Sequence, residues 1–222
     1  MISVASDLDK YRSMGGVVDE IKEHKDDAIE AYSQDGQYVF MNLWAFEKIM
    51  ARKPERHFDV GGQMSFLSYV RHSIPVTHID IRDPGTRMAG LTYLRGDITK
   101  LPIEDNSIDS LSCLHVAEHI GLGRYGDEID PEGFTKACRE LSRVLKPGGR
   151  LYFAVPTGIP RTVFNAHRVL SNLQVREAFY DLDLFEFAAM TSRGQYFKPA
   201  PNNFLDRDTY GCGMYLFTKG NQ

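Results

Sequence analysis

Short apolar segments of four to seven residues recur along the chain, and polar or glycine-containing turns separate each of them from the next helix-like segment. Strands of this length that alternate with helices are typical of βαβ units and of a mostly parallel sheet. The sequence therefore predicts an α/β fold with seven strands. The predicted strands are residues 57–60, 76–81, 91–94, 108–114, 151–155, 184–190 and 213–218.

The clearest helical pattern covers residues 134–145, where apolar side chains recur at intervals of three and four and predict a stripe that faces the core. The following segment, 146–149 (Lys-Pro-Gly-Gly), ends this helix. Because every predicted strand lies after residue 56, we expect a helical N-terminal extension or cap at 1–55 and one α/β domain at 56–222. Further helices are predicted at 17–32, 42–52, 66–71 and 163–179, with a turn at 33–36.

The composition argues against several classes of protein. The net charge is −4, whereas a protein that binds nucleic acid through counterion release needs a basic face. No apolar run approaches the roughly 20 residues that span a bilayer, and residues 1–20 lack the pattern of a signal peptide. Cys113, Cys138 and Cys212 form no CxxC pair, which is typical of thiols in a reducing compartment. We expect a cytoplasmic protein with a small-molecule partner, no nucleic-acid partner and no membrane span.

The residues that follow the strands are the first candidates for a functional site, because ligands of open α/β sheets bind beyond the carboxyl ends of the strands. The first strand ends in a turn at Gly61, where a missing side chain lets a ligand approach the backbone. Asp80 ends the second strand 19 residues after Gly61, at about the spacing of an acid that binds a ribose diol. Asp97 follows the third strand, and His115 follows the fourth.

The stretch 56–155 resembles a class I S-adenosylmethionine-dependent methyltransferase. The motifs that carry the resemblance are 58–62 (Phe-Asp-Val-Gly-Gly), 79–81, 96–102, 105–109, 116–120 and 145–151. The resemblance implies a three-layer Rossmann-like fold with a seven-stranded, mostly parallel sheet, an antiparallel last strand, and S-adenosylmethionine as the cofactor. The cofactor-binding residues that it implies are Asp59, Gly61, Gly62, Gln63, Asp80, Ile81, Asp97, Ile98, Leu114 and His115.

One departure from the family pattern concerns the first loop. The family usually has three alternating glycines after the acid, but here Gln63 and Ser65 stand where the second and third would be. An alternative to an active enzyme is therefore a catalytically degenerate protein of this fold that serves in binding or scaffolding.

Residues 121–131 (Gly-Leu-Gly-Arg-Tyr-Gly-Asp-Glu-Ile-Asp-Pro) lie between the fourth strand and the next helix, where loops commonly carry the substrate site. This loop resembles a signature of a poorly characterised methyltransferase-like family that is associated with surface-glycan biosynthesis. Arg124 and Tyr125 could hold a hydroxylated or anionic substrate. The alternative is a structural loop that salt bridges from Arg124 fix in place.

Methyl transfer to a hydroxyl is helped by a general base. His115, His119 and Asp127 are the candidates, with His115 the best placed because it directly follows a strand. Arg161 and His167 could complete the substrate pocket. The sequence thus predicts a methyltransferase that acts on a small molecule, with a hydroxyl of a sugar or glycan precursor as the acceptor that the resemblance suggests.

Two other motif interpretations are disfavoured. Residues 115–119 (His-Val-Ala-Glu-His) match the pattern of inverzincin zinc peptidases, but that site needs both histidines on one helical face. His115 directly follows a strand, and Gly121 and Gly123 would break a helix at once, so we expect no metal. A nicotinamide-dependent dehydrogenase is disfavoured because the chain lacks GxGxxG.

Overall fold

The computed structural model describes residues 4–21, 36–83, 85 and 87–220. The helices are α1 (Val4–Ser13), α2 (Gly36–Arg52), α3 (Met64–Ser73), α4 (Gly133–Val144) and α5 (Asn172–Ala178). The strands are β1 (Glu20–Ile21), β2 (His57–Val60), β3 (Val76–Asp80), β4 (Leu91–Arg95), β5 (Ile108–Leu114), β6 (Leu145–Thr157), β7 (Arg161–Phe164), β8 (His167–Val169), β9 (Leu182–Met190), β10 (Tyr196–Phe197) and β11 (Gly211–Lys219).

An eight-stranded sheet in the order β10-β9-β11-β6-β5-β2-β3-β4 forms the centre of the fold. The pairs from β6 to β4 are all parallel, whereas β11 runs antiparallel to both β6 and β9. The predicted α/β class and the antiparallel last strand are therefore confirmed. All seven predicted strands are present, and the two-residue strand β10 is added at one edge.

Two helical layers cover the sheet. The stripe predicted for α4 is confirmed, because Phe134, Ala137 and Leu141 lie in the apolar core on one face. On the other face, α2 and α3 bury their apolar sides in a second core that includes Trp44. The central strand β6 supplies side chains to both cores in alternation from residue 151 to residue 155, so this part of the strand is apolar without interruption.

The predicted helix 163–179 is wrong in its first half. Residues 161–164 and 167–169 form the antiparallel pair β7–β8, and only Asn172–Ala178 is helical. A capping box at Ser171 determines where α5 begins. The Ser171 hydroxyl accepts a hydrogen bond from the backbone N–H of Gln174, and the Gln174 side chain accepts one from the backbone N–H of Ser171. The β-branched residues before this cap suit an extended chain.

The N-terminal region also differs from the prediction. Helix α1 lies at Val4–Ser13, whereas the described residues 17–21 of the predicted helix are not helical, and β1 at their end pairs with β7. Predicted helical residues 22–32 and most of the predicted turn at 33–36 lie outside the described residues. Leu8 and Tyr11 of α1 pack against Leu122, Ile129 and Phe164 in a small third core. The division at residue 55 stays a prediction, and α2 shares its core with the sheet.

Among the described residues, no helix combines the length and the apolar character that crossing a membrane requires.

Candidate functional site

A cleft opens at the carboxyl ends of β2, β3, β4 and β5. It has about 80 Å³ of space for water-sized molecules, or about 570 Å³ when all the space between its walls and the open solvent at its mouth is counted. Gly61 begins its floor with a positive φ of 65°, and a Cβ there would come within 2.8 Å of the Val116 side chain. Only glycine therefore permits this turn. The predicted site residues that line the cleft are Gly61, Asp80, Ile81, Asp97, Ile98, His115, His119, Tyr125 and Asp127.

Asp80 projects from the end of β3 and is held by Arg82. Arg82 Nε and Nη2 donate to the two carboxylate oxygens at 3.0 and 2.9 Å, and the Arg82 backbone N–H donates to Oδ1 at 2.8 Å. Burial raises the pKa of Asp80, but these bonds outweigh it and lower the pKa. The Arg82 guanidinium also lies 4.6 Å from the centre of the Tyr125 ring. It therefore connects the end of β3 to residues 121–131, which we call the glycine-rich loop.

Asp97 and Ile98 follow β4, the strand next to β3, and also line the cleft. Asp97 Oδ1 accepts from both the backbone N–H and the hydroxyl of Thr99 at 2.8 Å, which fixes the direction of the carboxylate. Ile98 is buried and offers an apolar surface beside it. The two cleft carboxylates, Asp80 and Asp97, thus stand at the ends of neighbouring parallel strands, as the strand-end analysis predicts.

Asp59 lies beneath the cleft and braces its floor. It is fully buried, accepts from the Gly62 backbone N–H at 2.9 Å, and contacts His78 Nδ1 at 3.0 Å. Ser112 Oγ donates to its other oxygen. The remaining predicted cofactor residues, Gly62, Gln63 and Leu114, stand outside the residues that line the cleft.

The shape of the glycine-rich loop (residues 121–131) depends on its glycines and on one carboxylate. Gly121 has a φ of 82°, and a Cβ there would overlap the Asp130 carbonyl oxygen. Asp127 accepts from the backbone N–H groups of Gly121, Gly123 and Tyr125 at 2.7, 3.3 and 3.1 Å. The glycines and Asp127 therefore hold the loop together, with its Leu122 side chain buried against α1.

His115, Glu118 and His119 form a buried cluster where β5 ends. His115 takes the left-handed backbone conformation, with a φ of 54°, and residues 117–119 make one 3-10 turn. Glu118 Oε1 lies 3.2 Å from His115 Nδ1 and 3.5 Å from His119 Nε2. His115 Nε2 lies 3.2 Å from Cys212 Sγ, and His119 Nδ1 lies 2.5 Å from the Ala166 carbonyl oxygen.

The charges in this cluster follow from burial and from Glu118. Burial raises the pKa of Glu118, but the two imidazoles outweigh it and lower the pKa, so the carboxylate is ionised. Burial lowers the pKa of His115, but Cys212 and Glu118 outweigh it and raise the pKa. Burial also lowers the pKa of His119, and there Glu118 offsets only part of the effect. His119 is therefore the neutral imidazole of the pair.

The predicted substrate residues divide into two groups. Arg124 and Tyr125 lie by the cleft: Arg124 Nη1 donates to the Ala166 carbonyl at 3.3 Å, and the Tyr125 ring lies 5.5 Å from that of His119. Arg161 points elsewhere and donates to the Thr209 carbonyl at 2.6 Å. His167 lies in β8 against Tyr210, and burial lowers its pKa to about 4.

Several residues of the site were not singled out from the sequence. Tyr38, near the start of α2, lies with its ring 5.1 Å from that of His115, and Arg82 covers Asp80. Glu118 stands between the candidate histidines His115 and His119 in the sequence, and this position is the feature that could have identified it as a site residue. Nothing in the sequence around Tyr38 marks its contact with His115, which depends on the packing of α2. Within the described part of the chain, no three His, Cys, Asp or Glu side chains are grouped to hold a metal ion.

Comparison with known proteins supports this fold. A sequence profile described as "Caenorhabditis protein of unknown function, DUF268" matches residues 101–196, which include the glycine-rich loop. An uncharacterised methyltransferase of Mycobacteroides abscessus is 28% identical over 134 residues, which are 53% of this chain and 46% of that protein. The chain thus spans about half the length of this relative.

Two solved structures show the same architecture at low identity. The [4+2]-cyclase SpnF has a TM-score of 0.62 at 16% identity, and the match covers 98% of this chain and 93% of the cyclase. The Burkholderia thailandensis 1,6-didemethyltoxoflavin-N1-methyltransferase, solved with S-adenosylhomocysteine, has a TM-score of 0.58 at 14% identity, with 83% of each chain covered. The chain therefore shares its fold with these two structures, and part of its sequence is similar to an uncharacterised methyltransferase.

Proposed function

We propose that this protein transfers the methyl group of S-adenosylmethionine to a hydroxyl of a small molecule, a sugar or glycan precursor. The observation that carries the proposal is the cleft, in which a glycine turn, two carboxylates on neighbouring strand ends and a neutral histidine face the same space. The similarity to an uncharacterised methyltransferase supports it. When bound, the cofactor supplies a methyl group that is already activated on a sulfonium.

The residues of the cleft fit this cofactor. The Gly61 turn excludes a side chain and leaves backbone for close approach, which suits the methionine part. The Asp80 carboxylate can accept from two ribose hydroxyls once Arg82 gives up its bonds. At the end of β4, Asp97 Oδ2, which accepts no hydrogen bond from the described residues, and the apolar Ile98 suit an adenine ring.

The acceptor side combines rings with polar groups. Tyr125 and Tyr38 provide aromatic faces, Arg124 provides a cation, and His119 can take the proton of a hydroxyl. A sugar suits this set because it presents an apolar ring face together with several hydroxyls. The start of α2, with Tyr38, would cover the acceptor, so this part of the chain would serve as the cap that the sequence predicts at residues 1–55. We also propose that the protein acts in the cytoplasm.

Binding is the first test, because the same architecture also occurs in a cyclase. We expect S-adenosylmethionine and S-adenosylhomocysteine to bind in calorimetric titration, and binding of neither at high micromolar concentration would refute the proposal. Transfer of a labelled methyl group to nucleotide sugars and other hydroxylated small molecules then tests the acceptor class. Binding without transfer to any of them would favour a non-catalytic binding or scaffolding role.

A further inference from the structure

A second pocket lies beside the cleft and is lined by residues of β3, of β4 and of the segment between them; we call it the side pocket. It has about 180 Å³ of space for water-sized molecules, or about 500 Å³ when the open solvent at its mouth is counted. Asp80 and Arg82 line both the cleft and the side pocket. We propose that the side pocket binds a phosphate group, and that the bound phosphate weakens the hold of Arg82 on Asp80. Only this second effect rests on the proposed function.

The register of β3 and β4 determines which side chains meet in the side pocket. Asp80 pairs with Arg95 across the two strands, and His78 pairs with Tyr93 two residues earlier. Residues at directly opposite positions of neighbouring strands present their side chains on the same face of the sheet and close together. The side pocket therefore combines a charged pair with a pair of rings, whose centres lie 6.1 Å apart.

The charges of the side pocket favour an anion. Its charged side chains are Arg82, Arg87, Arg95, Asp80 and Asp83, so the positive charges exceed the negative ones although the whole chain has a net charge of −4. Each carboxylate is held by an arginine of its own, Asp80 by Arg82 and Asp83 by Arg87. Arg95 is the additional cation. Its Nε donates to a backbone carbonyl at 3.1 Å, and its terminal nitrogens have no hydrogen-bond partner among the described residues.

Two further polar groups of the side pocket are not used by the protein. The Tyr93 hydroxyl is buried and has no hydrogen-bond partner in the described part of the chain. His78 is buried, and its Nδ1 contacts the Asp59 carboxylate at 3.0 Å, whereas its Nε2 contacts no polar atom of the described residues. Because a carboxylate only accepts, Nδ1 of a neutral His78 carries the hydrogen and Nε2 is an acceptor. A phosphate group suits this set, since its oxygens accept from guanidinium groups and a partly protonated phosphate also has an O–H to donate.

Arg82 connects the side pocket to the cleft. Its Nε and Nη2 donate to Asp80, and its Nη1 has no hydrogen-bond partner within the described residues. A guanidinium binds phosphate oxygens through pairs of nitrogens, so a phosphate beside Arg82 competes with Asp80 for the same donors. The Asp80 oxygens released in this way are the ones that the ribose would need. Phosphate should therefore favour cofactor binding, and the cofactor should favour phosphate binding by the same factor.

Isothermal titration calorimetry of the full chain with sodium phosphate tests the side pocket without any cofactor. Sodium chloride of equal ionic strength is the reference, because salt alone screens these charges. We expect phosphate to bind, and to bind about tenfold more weakly to Arg95→Gln, which loses a charged hydrogen-bond donor. Arg193→Gln is the matched control: Arg193 is exposed and follows β9, near the opposite edge of the sheet, and its replacement should leave phosphate binding unchanged.

The absence of phosphate binding to the wild-type protein, or equal binding to Arg95→Gln, would overturn the proposal. A parallel titration with glycerol 3-phosphate distinguishes two sources of the phosphate group. Tighter binding of inorganic phosphate would assign the side pocket to the free ion, and tighter binding of glycerol 3-phosphate would assign it to a phosphate ester.

The effect on the cofactor site is measured with S-adenosylhomocysteine. Its dissociation constant should fall by about twofold or more in phosphate, and that of phosphate should fall by the same factor in saturating S-adenosylhomocysteine. Phosphate should have no such effect in Arg82→Ala, where Asp80 is already released; an equal effect there, or no effect in the wild-type protein, would overturn the competition. Phosphate binding without S-adenosylhomocysteine binding would refute only the methyltransferase, whereas S-adenosylhomocysteine binding without phosphate binding would refute only this inference.

Discussion

Replacing Arg82 by alanine should tighten the binding of the cofactor product S-adenosylhomocysteine. Arg82 holds both oxygens of Asp80 through its side chain, and these are the oxygens that the ribose would need. A ligand must therefore break two hydrogen bonds before it forms its own. In the variant, Asp80 keeps only the bond from the backbone N–H of residue 82.

The expected gain is small because the Arg82 side chain is 54% exposed. Exposed ion pairs contribute about 0–1 kcal/mol, and the cation–π contact with Tyr125 adds about 0.5–1 kcal/mol at such a site. Removing this competition, about 0.5–2 kcal/mol in total, should lower the dissociation constant by about two- to thirtyfold, since 1.4 kcal/mol corresponds to a factor of ten. The free energy of unfolding should fall by a similar amount, about 0.5–2 kcal/mol, because the ligand-free protein loses the same contacts.

Isothermal titration calorimetry with S-adenosylhomocysteine measures this change, and Arg87→Ala is the matched control. Arg87 makes the same paired contact with Asp83 and also lies over a tyrosine ring, that of Tyr93, but it is not among the residues that line the cleft. Weaker or unchanged binding in Arg82→Ala would refute the reasoning, because Arg82 would then support the ligand or be remote from it. Equal tightening in Arg87→Ala would also refute it, since a general charge effect would explain both.

Three further outcomes are expected. Asp80→Asn should weaken S-adenosylhomocysteine binding by about 1–3 kcal/mol in the same calorimetry, and unchanged binding would contradict the placement of the ribose. Gly121→Ala should lower the free energy of unfolding, measured with urea, by more than about 2 kcal/mol. Gly126→Ala is the control, because Gly126 also has a positive φ of 80° but has open space around it, and it should lower the same free energy by only about 1 kcal/mol. Equal losses of stability in the two variants would contradict the clash with the Asp130 carbonyl. Burial lowers the pKa of His57 to about 4, although Asp59 raises it. As the pH falls, the unfolded chain therefore binds this proton before the folded protein does, and the free energy of unfolding should decrease by up to about 3 kcal/mol from pH 6.5 to pH 4. Urea unfolding of His57→Gln should show a smaller decrease over this range, and an equal decrease would exclude His57 as the cause.

The strands and their functional ends could be predicted because local pattern decides both. A segment buried on both faces of the sheet, such as residues 151–155 of β6, is a continuous apolar run. In a parallel sheet the residues that follow such a strand lie at the edge where ligands bind. Gly61, Asp80 and Asp97 were found in this way. Their roles with the cofactor stay predictions.

The residues that the sequence did not reveal depend on contacts between distant segments. Apolar spacing from Val163 onward fits a helix as well as a hairpin, and the cap at Ser171, with Gln174 three residues later, was the local signal against the longer helix. Tyr38 reaches His115 only because α2 packs on the sheet. The sequence ranks His115 above His119 because it follows a strand, but it does not show that Cys212 lies against the ring of His115.

The contact between α1 and the glycine-rich loop has a consequence for the order of folding. Leu8 and Tyr11 meet Leu122 and Ile129 across more than a hundred residues of chain, and closing such a separation costs conformational entropy before the contact returns any stability. The sheet and its two main cores can form without this small third core. We therefore expect the loop to be ordered late in folding and to open first in the native state, as hydrogen exchange of its amides would show. The loop that we propose to contact the acceptor would then be the least protected part of the molecule, although a helix from the N-terminal end of the described chain packs against it.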